Sequence, residues 1–126
     1  MKEKDFQKLF TRHKAYGVEG VFELKLTKTK SLAYSKIEKH QIVKLLQANG
    51  DEGAYQKLSD MSMDKKCWDC QNIKNTPAYI VVLYYVPRKP KVIYYIPIKS
   101  FISTVHPGEG LSEDQAKQLS EYTITL

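Results

Sequence analysis

Cysteine is nearly absent from this chain: Cys67 and Cys70 are the only two in 126 residues. A lone pair this close together is no disulfide framework, so the bridge-stapled secreted scaffolds are excluded and a hydrophobic core must hold the fold. Long apolar runs are missing as well. None approaches the ~20 residues that a membrane-spanning helix needs. The longest, Ala78 to Val86, is short and rich in β-branched residues and tyrosine, and reads as a buried strand. The opening Met-Lys-Glu-Lys-Asp has no apolar signal-peptide core. A cytoplasmic protein with no membrane partner is therefore expected. Repeats, low-complexity tracts and domain linkers are also lacking, and arginine is scarce beside lysine.

What is present fits one globular domain over residues 1–126, with 42% hydrophobic residues and well-mixed charge. The net charge is +6. That balance suits an anionic partner such as nucleic acid, where each neutralised phosphate releases counterions. A lysine-rich solvated surface would give the same number.

The pattern along the chain predicts a helix over Lys4 to Lys14, with Phe6, Leu9, Phe10 and His13 on one face and Asp5 as cap or first-turn acid. A bend over Tyr16 to Gly20 leads into a strand, Val21 to Thr27. Alternation puts Val21, Glu23, Lys25 and Thr27 on one face of it and Phe22, Leu24 and Leu26 on the other. After a polar loop, Ser35-Lys36-Ile37-Glu38 reads as a capping box opening a helix from Lys36 to about Ala48, stopped by Asn49-Gly50. Short strands are expected near Ala54 to Leu58 and Trp68 to Ile73. A hairpin of Ala78 to Tyr85 and Val92 to Ile96 follows. Ile98 to Ile102 leads into a polar loop. Ser112-Glu113-Asp114-Gln115 is a second capping box, opening a helix to about Ser120, and Thr123 to Leu126 is an edge strand. The fold class is α/β: one mixed central sheet flanked by helices.

Glu23 and Lys25, two apart on a strand, point the same way. A carboxylate there can hold Mg²⁺, and an amine can orient water or neutralise charge that develops on a phosphate. On its own, Glu-x-Lys in a lysine-rich chain describes any solvated strand face. Cys67-Trp68-Asp69-Cys70 is half of a zinc ribbon, but no second pair exists and the three histidines have no ligand spacing. A thioredoxin-like site would need a strand-to-helix setting that this segment does not offer. Tyr79, Tyr84, Tyr85, Tyr94 and Tyr95 crowd the hairpin, as base-stacking or interface residues would, or as residues covering a sheet.

The span Val21 to Leu46 contains Phe22-Glu23-Leu24-Lys25-Leu26-Thr27-Lys28, then Ser31-Leu32, then Ile37-Glu38-Lys39-His40-Gln41. It resembles the RecU-type Holliday-junction resolvases and their phage-borne relatives, members of the PD-(D/E)XK nuclease superfamily. Glu23, Lys25, His40 and Gln41 stand where that family has Glu-x-Lys on a strand and His-Gln before an apolar helix. The resemblance implies a restriction-endonuclease-like fold, Mg²⁺ or Mn²⁺ as cofactor, phosphodiester hydrolysis on branched DNA, and a homodimer. The chain departs from the family where an aspartate should precede Glu-x-Lys, because Thr11 to Val18 contains no acid. Asp5 and Glu19 are poorly placed. Asp69 follows an aromatic residue and looks like the element a phage subgroup uses for its metal aspartate. Glu3 is a stand-in for the acid that many such nucleases carry on their first helix.

The resemblance thus assigns the metal to Glu23 and Asp69, and the chemistry to those two with Lys25 and Gln41. It assigns phosphate contacts to Lys28, Lys30, Lys36 and His40. The rival expectations are an inactive nucleic-acid-binding protein on the same scaffold and a protein-binding inhibitor module.

Overall fold

The computed structural model describes residues 1–50, 54–57, 70–73 and 75–126, with residues 54–57 and 70–73 described by backbone alone. A four-stranded mixed sheet organises it. Strand β1 (Val21–Thr27) runs parallel to β5 (Ala78–Tyr84), which pairs antiparallel with β6 (Val92–Pro97), which pairs antiparallel with β8 (Tyr122–Thr125). The order β1-β5-β6-β8 leaves β1 and β8 as edges. Helix α1 (Glu3–Arg12) precedes β1. Helix α2 (Lys39–Asn49) makes the crossover that a parallel pair requires. Helices α3 (Ile98–Thr104) and α4 (Glu113–Leu119) follow the hairpin. Two further pairs are short: β2 (Ser31–Ala33) with β7 (Gly110–Ser112), and β3 (Ala54–Lys57) with β4 (Cys70–Ile73), both antiparallel.

Every residue of β5 is buried, as expected of a central strand covered on both faces. Its alternation divides the core. Tyr79, Val81 and Leu83 join Phe6 and Phe10 of α1, and Phe22, Leu24 and Leu26 of β1 pack against that cluster. Ile80 and Val82 face the other side, with Ile42 and Leu45 of α2 and Phe101 of α3. Strand β1 therefore keeps the two faces its sequence predicts. Gly20 turns the chain into it: φ is +153° there, and a Cβ would stand 2.5 Å from the Pro77 carbonyl oxygen, so only glycine fits.

Several sequence expectations need correction. Helix α2 starts at Lys39, not Lys36; Tyr34–Lys36 is a 3₁₀ turn and Ile37 is extended and buried. Seating Ile37 in the core delays the helix by three residues and passes the N-cap to Glu38, whose backbone N–H donates to Gln41 Oε1 at 2.9 Å. Ile98 to Ile102 is not the lead into a loop but most of α3, whose Ile98 and Phe101 are buried. Four of the five hairpin tyrosines are core, as residues covering a sheet would be, and only Tyr85 is partly exposed. Tyr79, Tyr84, Tyr94 and Tyr95 are 3, 6, 1 and 0% exposed, and each hydroxyl has an acceptor: Glu121, the Leu111 carbonyl, Glu113 and the Ala15 carbonyl. Burial pushes all four phenols above the usual tyrosine value, Tyr79 to about 12. They cannot stack on bases or form a dimer interface without unfolding the sheet. The second capping box stands as expected: Ser112 Oγ accepts from the Gln115 N–H at 3.2 Å, and Gln115 Oε1 accepts from the Ser112 N–H at 3.0 Å.

Phe6 has no exposed surface and holds α1 to the sheet. Phe6→Ala should cost about 3–5 kcal/mol in urea unfolding. A loss under about 1 kcal/mol would show that α1 is not docked as described.

Candidate active site

Glu23 and Lys25 sit in the middle of β1, level with Ile80 and Val82 of β5. Their face of the strand turns toward α2, which carries Gln41 in its first turn. Lys25 is 8% exposed, the only charged residue among the described residues to be buried. An ammonium in such a place needs anions beside it. It has two: Nζ is 3.7 Å from Glu23 Oε1 and 4.0 Å from Glu3 Oε1. Glu3 opens α1, whose apolar side packs on the opposite face of the sheet. Because β1 is an edge strand, the start of α1 can bring Glu3 round to Lys25.

Gln41 completes the group. Its Nε2 donates to Glu23 Oε1 at 2.8 Å, while its own Oε1 accepts the Glu38 N–H. The late start of α2 makes this possible, since a glutamine at the third helical position can reach back over the helix end. The carboxamide is thus held at both ends and fixes the Glu23 carboxylate. Burial pushes the Glu23 carboxyl above its ordinary value; Lys25 and, more weakly, Lys44 pull it down, and Glu3 pushes it up.

The residues expected for phosphate contact are spread over three places. Lys28 and Lys36 line a groove of about 580 Å³ together with Lys2 and Glu3, beside the carboxylates. Lys30 lies with Lys28 and Lys89 in a second groove, which also contains Glu113 and Asp114. His40 is elsewhere, on the exposed side of α2, 3.1 Å from Glu38. Asp69, Cys67 and Trp68 lie outside the described residues, and Cys70 begins β4. Asp5 accepts from the Lys2 backbone N–H at 2.9 Å, which lowers its carboxyl, so it serves the helix start rather than the site.

Two groups near the site escaped the sequence reading. Lys44 is one turn beyond Gln41, a spacing that was there to be used. Lys2 had no signal, because the position of the chain before α1 is set only by tertiary packing. Among the described residues no three His, Cys, Asp or Glu side chains form a ready cage for a metal. Two carboxylates beside a carboxamide still suit a hard cation, since Mg²⁺ takes one or two carboxylates and keeps several waters. The chain matches no family model, no curated protein and no solved structure.

The Glu23 titration tests this geometry. Followed by NMR of the glutamate carboxyl carbons, Glu3→Gln should lower the Glu23 pKa by removing a like charge, and Lys25→Met should raise it by removing the opposite one. A Glu23 pKa indifferent to Glu3 would separate the two carboxylates.

Proposed function

We propose that this protein is a Mg²⁺- or Mn²⁺-dependent endonuclease of restriction-endonuclease-like fold, hydrolysing phosphodiesters in DNA. One observation supports the reading above the others: Glu3, Glu23, Lys25 and Gln41, from three separate elements, converge on one half-buried point. Branched DNA as substrate, Asp69 as a further metal carboxylate and a homodimer rest on the resemblance to the resolvases alone.

Under this reading Glu23 and Glu3 would hold the cation. When bound, it supplies Lewis acidity toward a phosphoryl oxygen and water made acidic enough to attack at neutral pH. The chain's own groups do the rest. Lys25 brings a fixed positive charge to where negative charge grows on the phosphorus centre, in a place where little solvent screens it. Its two carboxylates hold the ammonium in position before substrate arrives. Gln41 keeps the Glu23 carboxylate from turning away. The Lys2, Lys28 and Lys36 groove would seat a neighbouring phosphate, which orients the backbone without reading sequence.

The test is cleavage of labelled four-way junction and duplex DNA in Mg²⁺ and Mn²⁺. Glu23→Ala, Lys25→Ala and Asp69→Ala should each lower the rate at least about a hundredfold, the scale of one strong transition-state contact. DNA affinity in Ca²⁺ should survive. Lys25→Arg should not restore activity, because a bulkier guanidinium does not fit between the carboxylates. Failure of the unaltered protein to cut any substrate in either metal, or full activity in Glu23→Ala, would give the place to the non-catalytic DNA-binding protein or, where DNA binding is absent too, to the protein-inhibitor module.

A further inference from the structure

Helix α1 has a face that neither the core nor the candidate site uses. Lys4, Lys8 and Arg12 recur every four residues and are all exposed. With Gln7 and Thr11 they line a shallow groove of about 520 Å³. Four helical residues advance about 6 Å, so the three cations form a row about 12 Å long. Like charges at this spacing repel and weaken a helix. The fold does not relieve the conflict: among the described residues, none of the three forms a salt bridge. Asp5 is bound to the Lys2 N–H and meets Lys8 only as a more distant charge. From Phe6 to Val18 the sequence contains no acid at all. A row of cations kept at a cost to its own helix is what a bound polyanion would relieve.

We propose that this face of α1 is a track for the phosphodiester backbone of nucleic acid, running into the Glu23–Lys25 site. Only the end of the track rests on the nuclease reading; the binding does not. Position supports it. Glu3 opens the same helix and stands in the Lys2, Lys28 and Lys36 groove, and Gln7 lies one turn beyond Glu3. Cations therefore stand on both sides of Glu3, in its groove and along the helix beyond it, and a strand held by both would pass that carboxylate. The amide of Gln7 and the hydroxyl of Thr11, set among the cations, are further donors for phosphate oxygens. An anionic membrane fits less well. A helix lying on lipid must offer an apolar side, and α1 has spent its own on the core, with Phe6 and Phe10 at 0 and 6% exposure.

The test is fluorescence anisotropy with a labelled DNA duplex over a salt series, in Ca²⁺ or without metal, so that cleavage plays no part. Changing Lys4, Lys8 and Arg12 together to Gln should reduce the slope of log affinity against log salt by about 2 to 3, near 0.9 for each phosphate no longer neutralised. The variant's Tm should equal or exceed that of the unaltered protein, because repulsion is removed and glutamine favours helix. Exchanging Lys4 and Lys8 for Arg should leave the slope intact. An unchanged slope in the Gln variant, a reduced slope in the Arg variant, no DNA binding at low salt, or preference for phosphatidylserine vesicles over DNA would each overturn the track. A protein that cuts DNA but keeps its slope in the Gln variant loses the track alone. One that never cuts but shows the stated fall in slope keeps the track and loses the nuclease.

Discussion

Burying the Lys25 ammonium in the middle of a strand costs several kcal/mol unless carboxylates stand beside it, and the way the fold supplies them sets much of the geometry around β1. Glu23 comes from the same strand, two residues away on the same face. Glu3 comes from a helix that packs on the opposite face, and reaches Lys25 because β1 has no strand beyond it in the sheet. Docking of α1 through Phe6 and Phe10 is therefore tied to the electrostatics of the site, although those rings never touch it. Gln41 adds a third tie, joining the start of α2 to the same carboxylate.

The parts of the fold legible in the sequence are those with strong periodicity. The two faces of β1, the all-apolar β5, the β5–β6 hairpin and the Ser112 cap follow from local pattern alone. What was hidden depended on packing. Ile37 had to be seated before α2 could begin, and a Ser-x-x-Glu pattern cannot report that. The pattern for α3 was in plain view, with Ile98, Phe101, Ile102 and Val105 at helical spacing; Pro97 is no obstacle to it, since it stands at the N-cap, where a missing N–H costs nothing. The β2–β7 pair has only three residues a side, and its signal is two leucines, Leu32 and Leu111, far apart in the chain.

The candidate site divides in the same way. Glu23 and Lys25 are neighbours on a strand, so their meeting followed from alternation. Gln41 needed the late helix start, and Glu3 needed a helix folded round a sheet edge, so neither interaction had a local signal. The hairpin tyrosines were open in the sequence between contact residues and residues covering a sheet; burial of both sheet faces decides for the second at Tyr79, Tyr84, Tyr94 and Tyr95, whose hydroxyls serve internal carbonyls and carboxylates. For the proposed DNA binding, the cations left on the surface by this arrangement, on α1 and around the β1–β2 turn, would need no precise placement, because phosphate attraction tolerates small displacements.

Under the proposed function, Glu3, Glu23, Lys25 and Gln41 form one site able to take a divalent cation. Mn²⁺ added to isotope-labelled protein tests it most directly, because the paramagnetic ion broadens only nearby NMR signals. Selective broadening is expected at Glu3, Glu23, Lys25 and the Gln41 side-chain amide, competed away by Mg²⁺ and abolished by Glu23→Gln. Broadening confined to other carboxylates, or unchanged at these four after Glu23→Gln, would contradict it.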